Sequence, residues 1–400
     1  MIKINITDKV KQAAELHWEW VARRFAIGKS ALSLSASSRT NGEKRKKSLY
    51  LLLGYIKNKN VSKKTLDSND SIFKELICAS PLKLINLSRS SRYSSLILKI
   101  PPYLKKYYSD VNTLKKTKKN DPFYMVLKND VDKQKKKYKK NILDYEQRKR
   151  NGKKIRDLLK YEGLYNTTES WNAYELCKKI NLRVCPYCNR QYIFTVKNLK
   201  KEWTDRPQLD HFFVKSIYPF LSCSFYNLIP SCPFCNEGKG DEEEETIYPY
   251  IEEFGKDFVF RMDKKDIVDL KSSQKTKKKY NYSISLEDSA VSNKRCIYYK
   301  QVKTSQQFKT LLHASNKIFH LTELYNAHQF ELCELLEKYT KTMGPELARL
   351  AKLYYNSSSE VNERKKKIFL KTILGIYSND NDHILNKFKK DIFEQLEKEK

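Results

Sequence analysis

The chain has 400 residues, enough for two or three domains, and 79 lysines and arginines against 47 acidic residues give it a net charge of +32. A hydrophobic content of 40% excludes a wholly disordered chain. No apolar run approaches the roughly 18 residues of a transmembrane helix, and the N-terminal segment, which carries Asp8 and Glu15, lacks the apolar core of a signal peptide. We therefore expect a cytoplasmic protein that does not associate with membranes.

The positive charge favours a polyanionic partner, because every phosphate that a lysine or arginine neutralises releases condensed counterions. The alternative is compositional, since lysine, asparagine, isoleucine and tyrosine are all abundant, as AT-rich coding would give. Nine cysteines in a long chain without an export signal indicate metal ligands or free thiols rather than a disulfide framework.

The N-terminal part of the chain predicts a basic helical region over residues 1–170. An amphipathic helix is expected at 10–26, and the Ser/Lys-rich stretch 29–48 is expected to form a loop or a loosely ordered arm. From 103 to 161 the chain is dense in lysine, and its part after about residue 126 predicts one long basic helix. We expect this region to bind nucleic acid, a partner protein or both; a solvated helical face is the alternative.

The C-terminal part, residues 246–400, predicts a mixed region followed by helices. β-like segments come first, and apolar residues at helical spacing then predict helices at 321–339, 361–377 and 384–398. Between the two flanks, in residues 171–245, the charge density falls while aromatic residues, prolines and paired cysteines concentrate. This central segment is where the sequence indicates chemistry.

Two Cys-x-x-Cys pairs lie in the central segment. CPYC supplies Cys185 and Cys188, and CPFC supplies Cys232 and Cys235. Four thiolates suit one tetrahedral Zn²⁺ with bonds of about 2.3 Å, so the spacing predicts a structural zinc site. The alternative, a thioredoxin-like redox pair, needs a βαβ context that this sequence lacks.

A second pattern lies between the cysteine pairs. The segment LDHFFVKSIYPFLSCSFYNLIPSCPFCNEGKGD (209–241) contains an Asp-His pair, an asparagine in an aromatic turn and another asparagine directly after the last cysteine. This order of CxxC, DH, N and CxxCN resembles the HNH endonucleases, in the zinc-stapled H-N-N form of their ββα-metal core. It is similar in particular to the PtuB-like HNH subunits of Septu and retron antiphage systems, although Val214 stands where those commonly have proline. The strong similarity covers residues 185–241.

The resemblance implies a mostly helical α+β protein with a central ββα-metal module in residues 171–245. It implies that His211 is the general base and that Asn227 holds the loop orienting it. It also implies that Asp210 and Asn236 hold a catalytic Mg²⁺ or Mn²⁺. The chemistry asks for the same residue types independently, because phosphodiester hydrolysis needs a base that works near neutral pH and hard oxygen ligands for a divalent cation.

Four further residues near the Asp-His pair have an expected role. Lys215, Lys239 and Arg206 are candidates for contacts to phosphate; the alternative is that they are solvated side chains. Cys223 lies between the cysteine pairs, and we expect it to be a small buried apolar side chain because four better-spaced ligands exist.

Three functions follow from these residues. The first is a Mg²⁺-dependent HNH endonuclease that cuts DNA as the effector of a bacterial antiphage defence system. The second is the same site cutting RNA, including tRNA, because the module contacts phosphate and not base identity. The third is a zinc-dependent nucleic-acid-binding protein without catalysis, which would have no use for Asp210, His211 and Asn236. No GxxxxGK[ST] loop occurs in the sequence, so the defence resemblance implies a separately encoded ATPase partner.

Overall fold

The computed structural model describes residues 1–31, 34–58, 60–166, 169–197, 204–262, 282–289, 305–342, 345–355 and 361–398. Within them the fold is mostly helical with three two-stranded sheets, which confirms the α+β class. No described helix combines the length and the apolar composition needed to cross a bilayer.

Contacts group the chain into two compact units. We call Asp8–Leu176 together with His211–Leu228 the helical unit, and Met1–Thr7, Cys177–Asp210 and Ile229–Lys400 the cysteine unit. The chain therefore passes between the units four times, at Thr7–Asp8, Leu176–Cys177, Asp210–His211 and Leu228–Ile229. The three-part division at residues 170 and 245 stays a prediction.

The amphipathic helix predicted at 10–26 forms as α1 (Asp8–Arg24) at the start of the helical unit. Phe25, directly after that helix, is fully buried and packs edge-on against Phe73, with ring centroids 5.2 Å apart. The helices of the unit are α1 (Asp8–Arg24), α2 (Ala36–Leu52), α3 (Lys63–Asp67), α4 (Asp70–Cys78), α5 (Pro81–Ser88), α6 (Pro102–Lys116), α7 (Pro122–Lys137) and α8 (Lys139–Leu159).

The prediction of a loop over residues 29–48 is wrong for most of that stretch, because α2 occupies it. Ser35 caps the helix by accepting a hydrogen bond from a backbone N–H of the first turn. Lys46 is buried at 2% exposure and pairs with Asp67 and Asp70 at 2.6 and 2.9 Å. The predicted loop rested on residues of low helix propensity. The pairing of a buried lysine with two carboxylates is a tertiary contact, which the local sequence does not show.

The basic segment forms two helices, α7 and α8, instead of the one long helix predicted after residue 126. The break lies at Tyr138, whose φ of −109° and ψ of 22° leave the helical range. Val131 from α7 and Ile142 and Tyr145 from α8 join one buried cluster with Leu104 from α6. Residues on both sides of the break therefore pack into the same cluster.

His17 is a buried polar residue of α1. Its side chain is fully inaccessible, its Nδ1 accepts a hydrogen bond from Trp171 Nε1 at 3.1 Å, and its Nε2 lies 2.9 Å from the carbonyl oxygen of Cys223. Because Nδ1 must accept, the proton sits on Nε2, which donates to that carbonyl, and the ring is neutral. Burial lowers the pKa of His17 to about 4.

The neutral state of His17 predicts acid sensitivity of the helical unit. In the unfolded chain this histidine has a pKa of about 6.5 and binds a proton below that pH, whereas in the folded chain it stays neutral down to about pH 4. The free energy of unfolding is therefore highest above pH 6.5 and falls as the pH drops from 6.5 toward 4. We expect a loss of about 2 kcal/mol in the free energy of unfolding between pH 7 and pH 5, measured by urea titration with tryptophan fluorescence. His17→Gln, which cannot titrate, should lose less over that interval; an unchanged pH dependence would contradict the assignment.

The cysteine unit contains all three sheets. Its strands are β1 (Val196–Lys197), β2 (Thr204–Asp205), β3 (Gln208–His211), β4 (Leu228–Ser231), β5 (Phe258–Met262) and β6 (Ile284–Asp288), paired β1–β2, β3–β4 and β5–β6, with one residue each of β3 and β4 lying beyond the unit boundary. Its helices are α9 (Ala173–Ile180), which leads into the unit, α10 (Pro233–Lys239), α11 (Ser305–Phe319), α12 (Leu321–Asn326), α13 (Gln329–Lys341), α14 (Pro345–Tyr354), α15 (Glu363–Ile373) and α16 (Asn386–Lys398).

The predicted β-like region contributes β5 and β6, and its residues 263–281 and 290–304 lie outside the described part of the chain. The helix predicted at 321–339 is divided into α12 and α13. Asn326, at the break, both donates to and accepts from the backbone of Ile284, and Gln329 does the same for Tyr282. These amides hold the edge of β6, so the break attaches the sheet to the helices.

Candidate metal centre and hydrolytic site

The four cysteines of the two pairs form one buried cluster. Cys185, Cys188, Cys232 and Cys235 are each 2% exposed or less, and their sulfurs all lie within 4.8 Å of one another. The Cys188 and Cys232 sulfurs are 3.9 Å apart. A tetrahedral site with Zn–S bonds of about 2.3 Å places its sulfurs about 3.8 Å apart, whereas a disulfide needs about 2.05 Å. The cluster therefore suits a metal such as zinc.

Local backbone geometry builds each half of the cluster. In the first half, Asn189 adopts a left-handed conformation with φ of 53°, which turns the chain so that the N–H of Arg190 points at Cys188 Sγ, 3.4 Å away. In the second half, Cys232 caps α10 and Pro233 occupies its first turn. The N–H of Cys232 donates to Cys185 Sγ at 3.4 Å. Such N–H···S bonds favour thiolates.

The thiols influence one another strongly. Burial raises the pKa of Cys185, whereas hydrogen bonding from Cys185 lowers the pKa of Cys188 and of Cys232. Four ionised sulfurs in so small a buried volume repel one another, so full ionisation requires a cation among them. Because the four ligands close the coordination sphere, such an ion has a structural role.

The C-terminal helices support the first cysteine pair, which the sequence did not reveal. The hydroxyl of Tyr325 donates to the carbonyl of Cys188 at 2.7 Å. The side-chain amide of Asn189 donates to the carbonyl oxygens of Asp380 and His383, at 3.0 and 3.3 Å. The first half of the four-cysteine cluster is therefore held by contacts from parts of the chain that are distant in sequence.

Strand β3 and helix α10 meet through two pairs of side chains. Asn236 Nδ2 donates to Gln208 Oε1 at 2.5 Å, and Lys239 Nζ lies 3.0 Å from Asp210 Oδ1. Gln208 and Asp210 are two apart on a strand, and Asn236 and Lys239 are three apart on a helix, so each pair shares one face of its element. Asp210 and Asn236, which directly follows Cys235, therefore belong to the same contact between β3 and α10.

Asp210 is a buried carboxylate with two polar neighbours. Its Oδ2 accepts a hydrogen bond of 2.5 Å from the Tyr187 hydroxyl, and Lys239 pairs with its Oδ1; Asp210 and Lys239 have side chains only 4% exposed. Burial first, and then the charge of Asp210, raise the pKa of Tyr187, so the phenol remains a donor. Sequence reasoning missed Tyr187 and Gln208; the signal was that Gln208 lies two residues before Asp210.

His211 follows Asp210 directly in the chain and belongs to the helical unit. Its Nε2 lies 2.9 Å from the carbonyl oxygen of Ser222, and its ring meets Tyr161 edge-on with centroids 4.5 Å apart. A carbonyl can only accept, so Nε2 carries the proton and the lone pair of the neutral ring is on Nδ1. This tautomer is the one that a general base acting through Nδ1 requires.

Asn227 fastens both ends of the loop that follows His211. Its Oδ1 accepts from the N–H of Phe213 at 2.7 Å, and its Nδ2 donates to the carbonyls of Phe213 and Leu221 at 3.0 and 2.9 Å. Asn227 is fully buried, so these bonds do not compete with water. Leu221 directly precedes Ser222, whose carbonyl contacts the His211 ring. By binding Leu221, Asn227 therefore helps to fix the position of the Ser222 carbonyl.

The remaining predicted residues differ in their surroundings. In the helical unit, Lys215 Nζ lies 5.6 Å from the centre of the Tyr161 ring. In the cysteine unit, Arg206 donates to the carbonyl of Pro207 at 2.7 Å. Cys223 is fully buried, and burial raises its pKa to about 12, in agreement with the expected apolar role.

The implied catalytic cation fits the residues of the cysteine unit. Asp210 offers carboxylate oxygens, each of which has a second lone pair beside its present partner. The hydrogen bond from Asn236 Nδ2 to Gln208 fixes the orientation of that amide, so its oxygen is the atom available to a cation. Two such oxygens are the ligands that Mg²⁺ or Mn²⁺ takes in addition to water and phosphate.

No protein-family model, no curated protein and no solved structure matches this chain. What the protein does is therefore inferred from its own residues and their geometry.

Proposed function

We propose that the protein is a Mg²⁺-dependent HNH endonuclease that hydrolyses phosphodiester bonds of DNA. The observation that carries this proposal is the double pairing of β3 with α10, which brings Asp210 and Asn236 to one strand–helix contact, and α10 also carries Cys235 of the four-cysteine cluster. The order strand, strand, helix in β3, β4 and α10 is that of a ββα-metal core. A protein that only bound nucleic acid would not need these two oxygen ligands together with a histidine that follows one of them directly in the sequence.

In this mechanism His211 is the general base. Nδ1 takes a proton from the water that attacks the phosphorus, while Nε2 keeps its proton on the Ser222 carbonyl and holds the ring in place. Asn227 maintains that carbonyl through its bond to Leu221. The imidazole changes charge only during the reaction, so its contribution lies mainly in the transition state.

Asp210 and Asn236 would hold the divalent cation. Such a cation, when bound, neutralises charge that develops on the phosphate and on the leaving oxygen. Tyr187 orients the Asp210 carboxylate by donating to one oxygen, which leaves the other directed toward α10. Lys239 supplies a positive charge at that second oxygen, and we assign it a positioning role for Asp210 in place of a direct contact to phosphate.

A substrate backbone has a basic surface available in the helical unit. Residues 102–159, which contain α6–α8, have nineteen lysines and arginines and seven acidic residues. All of these basic residues except Arg148 and Arg156 are exposed. Among the described residues, the ion pair that this segment forms joins Arg148 to Asp144. Exposed cations of this density attract a polyanion without regard to its sequence.

Reversing the charge of Lys135–Lys137 should therefore weaken binding to any nucleic-acid sequence. Each lysine that no longer neutralises a phosphate lowers the slope of log affinity against log salt by about one, so the triple glutamate variant should bind with a slope smaller by up to about three. Fluorescence anisotropy at several salt concentrations measures this. Reversal of three exposed basic residues elsewhere, Lys352, Arg364 and Lys398, changes the net charge equally and serves as the control; an equal loss in that control would assign the effect to net charge.

From the resemblance we also propose that the endonuclease is the effector of an antiphage defence system and works with a separately encoded ATPase. The test of the function uses purified protein, alone and with the products of neighbouring genes, on plasmid DNA and total tRNA, with and without Mg²⁺. Cleavage of plasmid with Mg²⁺ supports the proposal. Cleavage of tRNA alone would favour the RNA-cutting alternative, and cleavage of neither in any combination would favour the non-catalytic zinc protein.

A further inference from the structure

Two aromatic rings lie exposed and stacked on each other beside the metal cluster. Tyr192 and Phe194 are each 44% exposed, with ring centroids 5.0 Å apart and planes inclined by 14°. Ile193 between them is 5% exposed, so the two rings lie on the solvent side of an extended segment. Stacked rings that face solvent are costly to hydrate and are the usual sign of a binding surface.

The segment that carries the rings is held rigidly by the first cysteine pair. Tyr192 forms a β-bridge with Val184, and the N–H of Ile193 donates to the carbonyl of Arg183 at 2.9 Å. Cys185, a member of the cluster, donates its N–H to the carbonyl of Gln191 at 2.9 Å. Because the metal-type cluster fixes this hairpin, a ligand stacking on the rings need not order them first.

A described cation lies close to the rings. The guanidinium of Arg183, an exposed residue, lies 5.8 Å from the centre of the Phe194 ring. Aromatic faces combined with cations complement a chain that presents flat bases and negative phosphates.

We propose that Tyr192 and Phe194 form a stacking platform for bases of an unpaired nucleic-acid strand. This inference rests on the proposed function, in which the protein binds nucleic acid. It adds the class of substrate, which is single-stranded DNA or RNA or an unpaired segment of a longer molecule. In a duplex the faces of the bases are covered by their neighbours, and only their edges reach a protein. A ring pair at the surface therefore selects bases that are unstacked.

The experiment measures binding, without cleavage, of labelled oligonucleotide probes about 12 nucleotides long, a length within the range of single-strand site sizes, in buffer from which Mg²⁺ is omitted. The probes are single-stranded DNA, single-stranded RNA, a DNA duplex and a single strand whose central sites are abasic. Tyr192→Ala and Phe194→Ala should each weaken binding of the single strands by about tenfold and leave duplex binding unchanged. Tyr192→Phe should bind as wild type, because stacking uses the ring and not the hydroxyl. Phe330→Ala, which removes a ring 78% exposed on α13, is the matched control and should change nothing.

The abasic strand separates stacking from charge attraction. It should bind wild type about as weakly as the alanine variants bind the normal strand, because it retains the phosphates and lacks the bases. Equal affinity of wild type and both alanine variants for the single strands would overturn the platform, and so would an equal loss on the duplex. These outcomes are independent of the hydrolytic site. Equal single-strand affinity of wild type and the alanine variants, together with normal Mg²⁺-dependent cleavage, refutes the platform alone. The expected loss of affinity in the alanine variants, together with no cleavage by the wild type, refutes the endonuclease alone.

Discussion

Replacing His211 with alanine is expected to lower the rate of phosphodiester cleavage by about two to four orders of magnitude, while the zinc content and the affinity for nucleic acid stay nearly unchanged. The reason is that the imidazole acts on the attacking water and is needed chiefly in the transition state. Single-turnover cleavage with saturating protein and Mg²⁺ measures the chemical step. Cleavage at the wild-type rate would show that another group is the base.

Two sets of variants make this test specific. His313→Ala removes a histidine whose side chain is 56% exposed in the cysteine unit, and it should cleave normally. Asn236→Ala and Asp210→Ala should fail in a different way from His211→Ala, because they remove candidate ligands of the cation. The milder of these two should recover part of its rate at raised Mg²⁺ concentration, whereas His211→Ala should not recover. Equal behaviour of all three variants toward Mg²⁺ would contradict the separate roles assigned to them.

Replacing any one of the four clustered cysteines with alanine should remove the zinc and prevent the cysteine unit from folding stably. Structural zinc sites contribute on the order of 10–16 kcal/mol in small metal-binding peptides, which is as large as the whole stability of a typical domain at about 5–15 kcal/mol. Elemental analysis should give about one zinc per folded wild-type chain and a clear loss in the variant. Urea titration should show the accompanying loss of cooperative unfolding.

Cys177→Ala is the control for the cysteine variants. Cys177 belongs to the same unit, is 3% exposed and is not one of the four clustered thiols, so its replacement removes a buried sulfur without touching the cluster. This variant should retain zinc and lose only the modest stability of a small buried side chain. Less than about half a zinc in the folded wild type, or equal damage by Cys177→Ala, would contradict a structural metal site.

The four-cysteine cluster could be predicted from spacing alone. Two residues between thiols set the reach of a tight turn, and the two prolines and the following asparagines suit that turn, so the ligands are nearly determined by local chain geometry. Helices with a regular apolar stripe were predictable for the same reason, as α1, α15 and α16 illustrate. In each case a local pattern carries the information: a tight turn at each cysteine pair, and a periodic apolar stripe along each helix.

Features that depend on a distant partner were not predictable. Lys46 of α2 pairs with Asp67 and Asp70, and residues on both sides of the break between α7 and α8 pack into one cluster with residues of α6. Neither partner is visible in the local sequence pattern. Low helix propensity therefore predicted a loop where α2 forms. The continuous run of lysines predicted one long helix where α7 and α8 form.

The candidate hydrolytic residues divide along the same line. The order of residues along the chain, through its resemblance to HNH endonucleases, was enough to select Asp210, His211, Asn227 and Asn236 as candidates, and their roles stay predictions. Their partners depend on the fold: the Ser222 carbonyl sets the tautomer of His211, and Lys239 is buried against Asp210 instead of facing solvent. The physical reason is that a residue's type fixes which bonds it can make, while the fold decides which atoms come within the roughly 3 Å that a hydrogen bond requires.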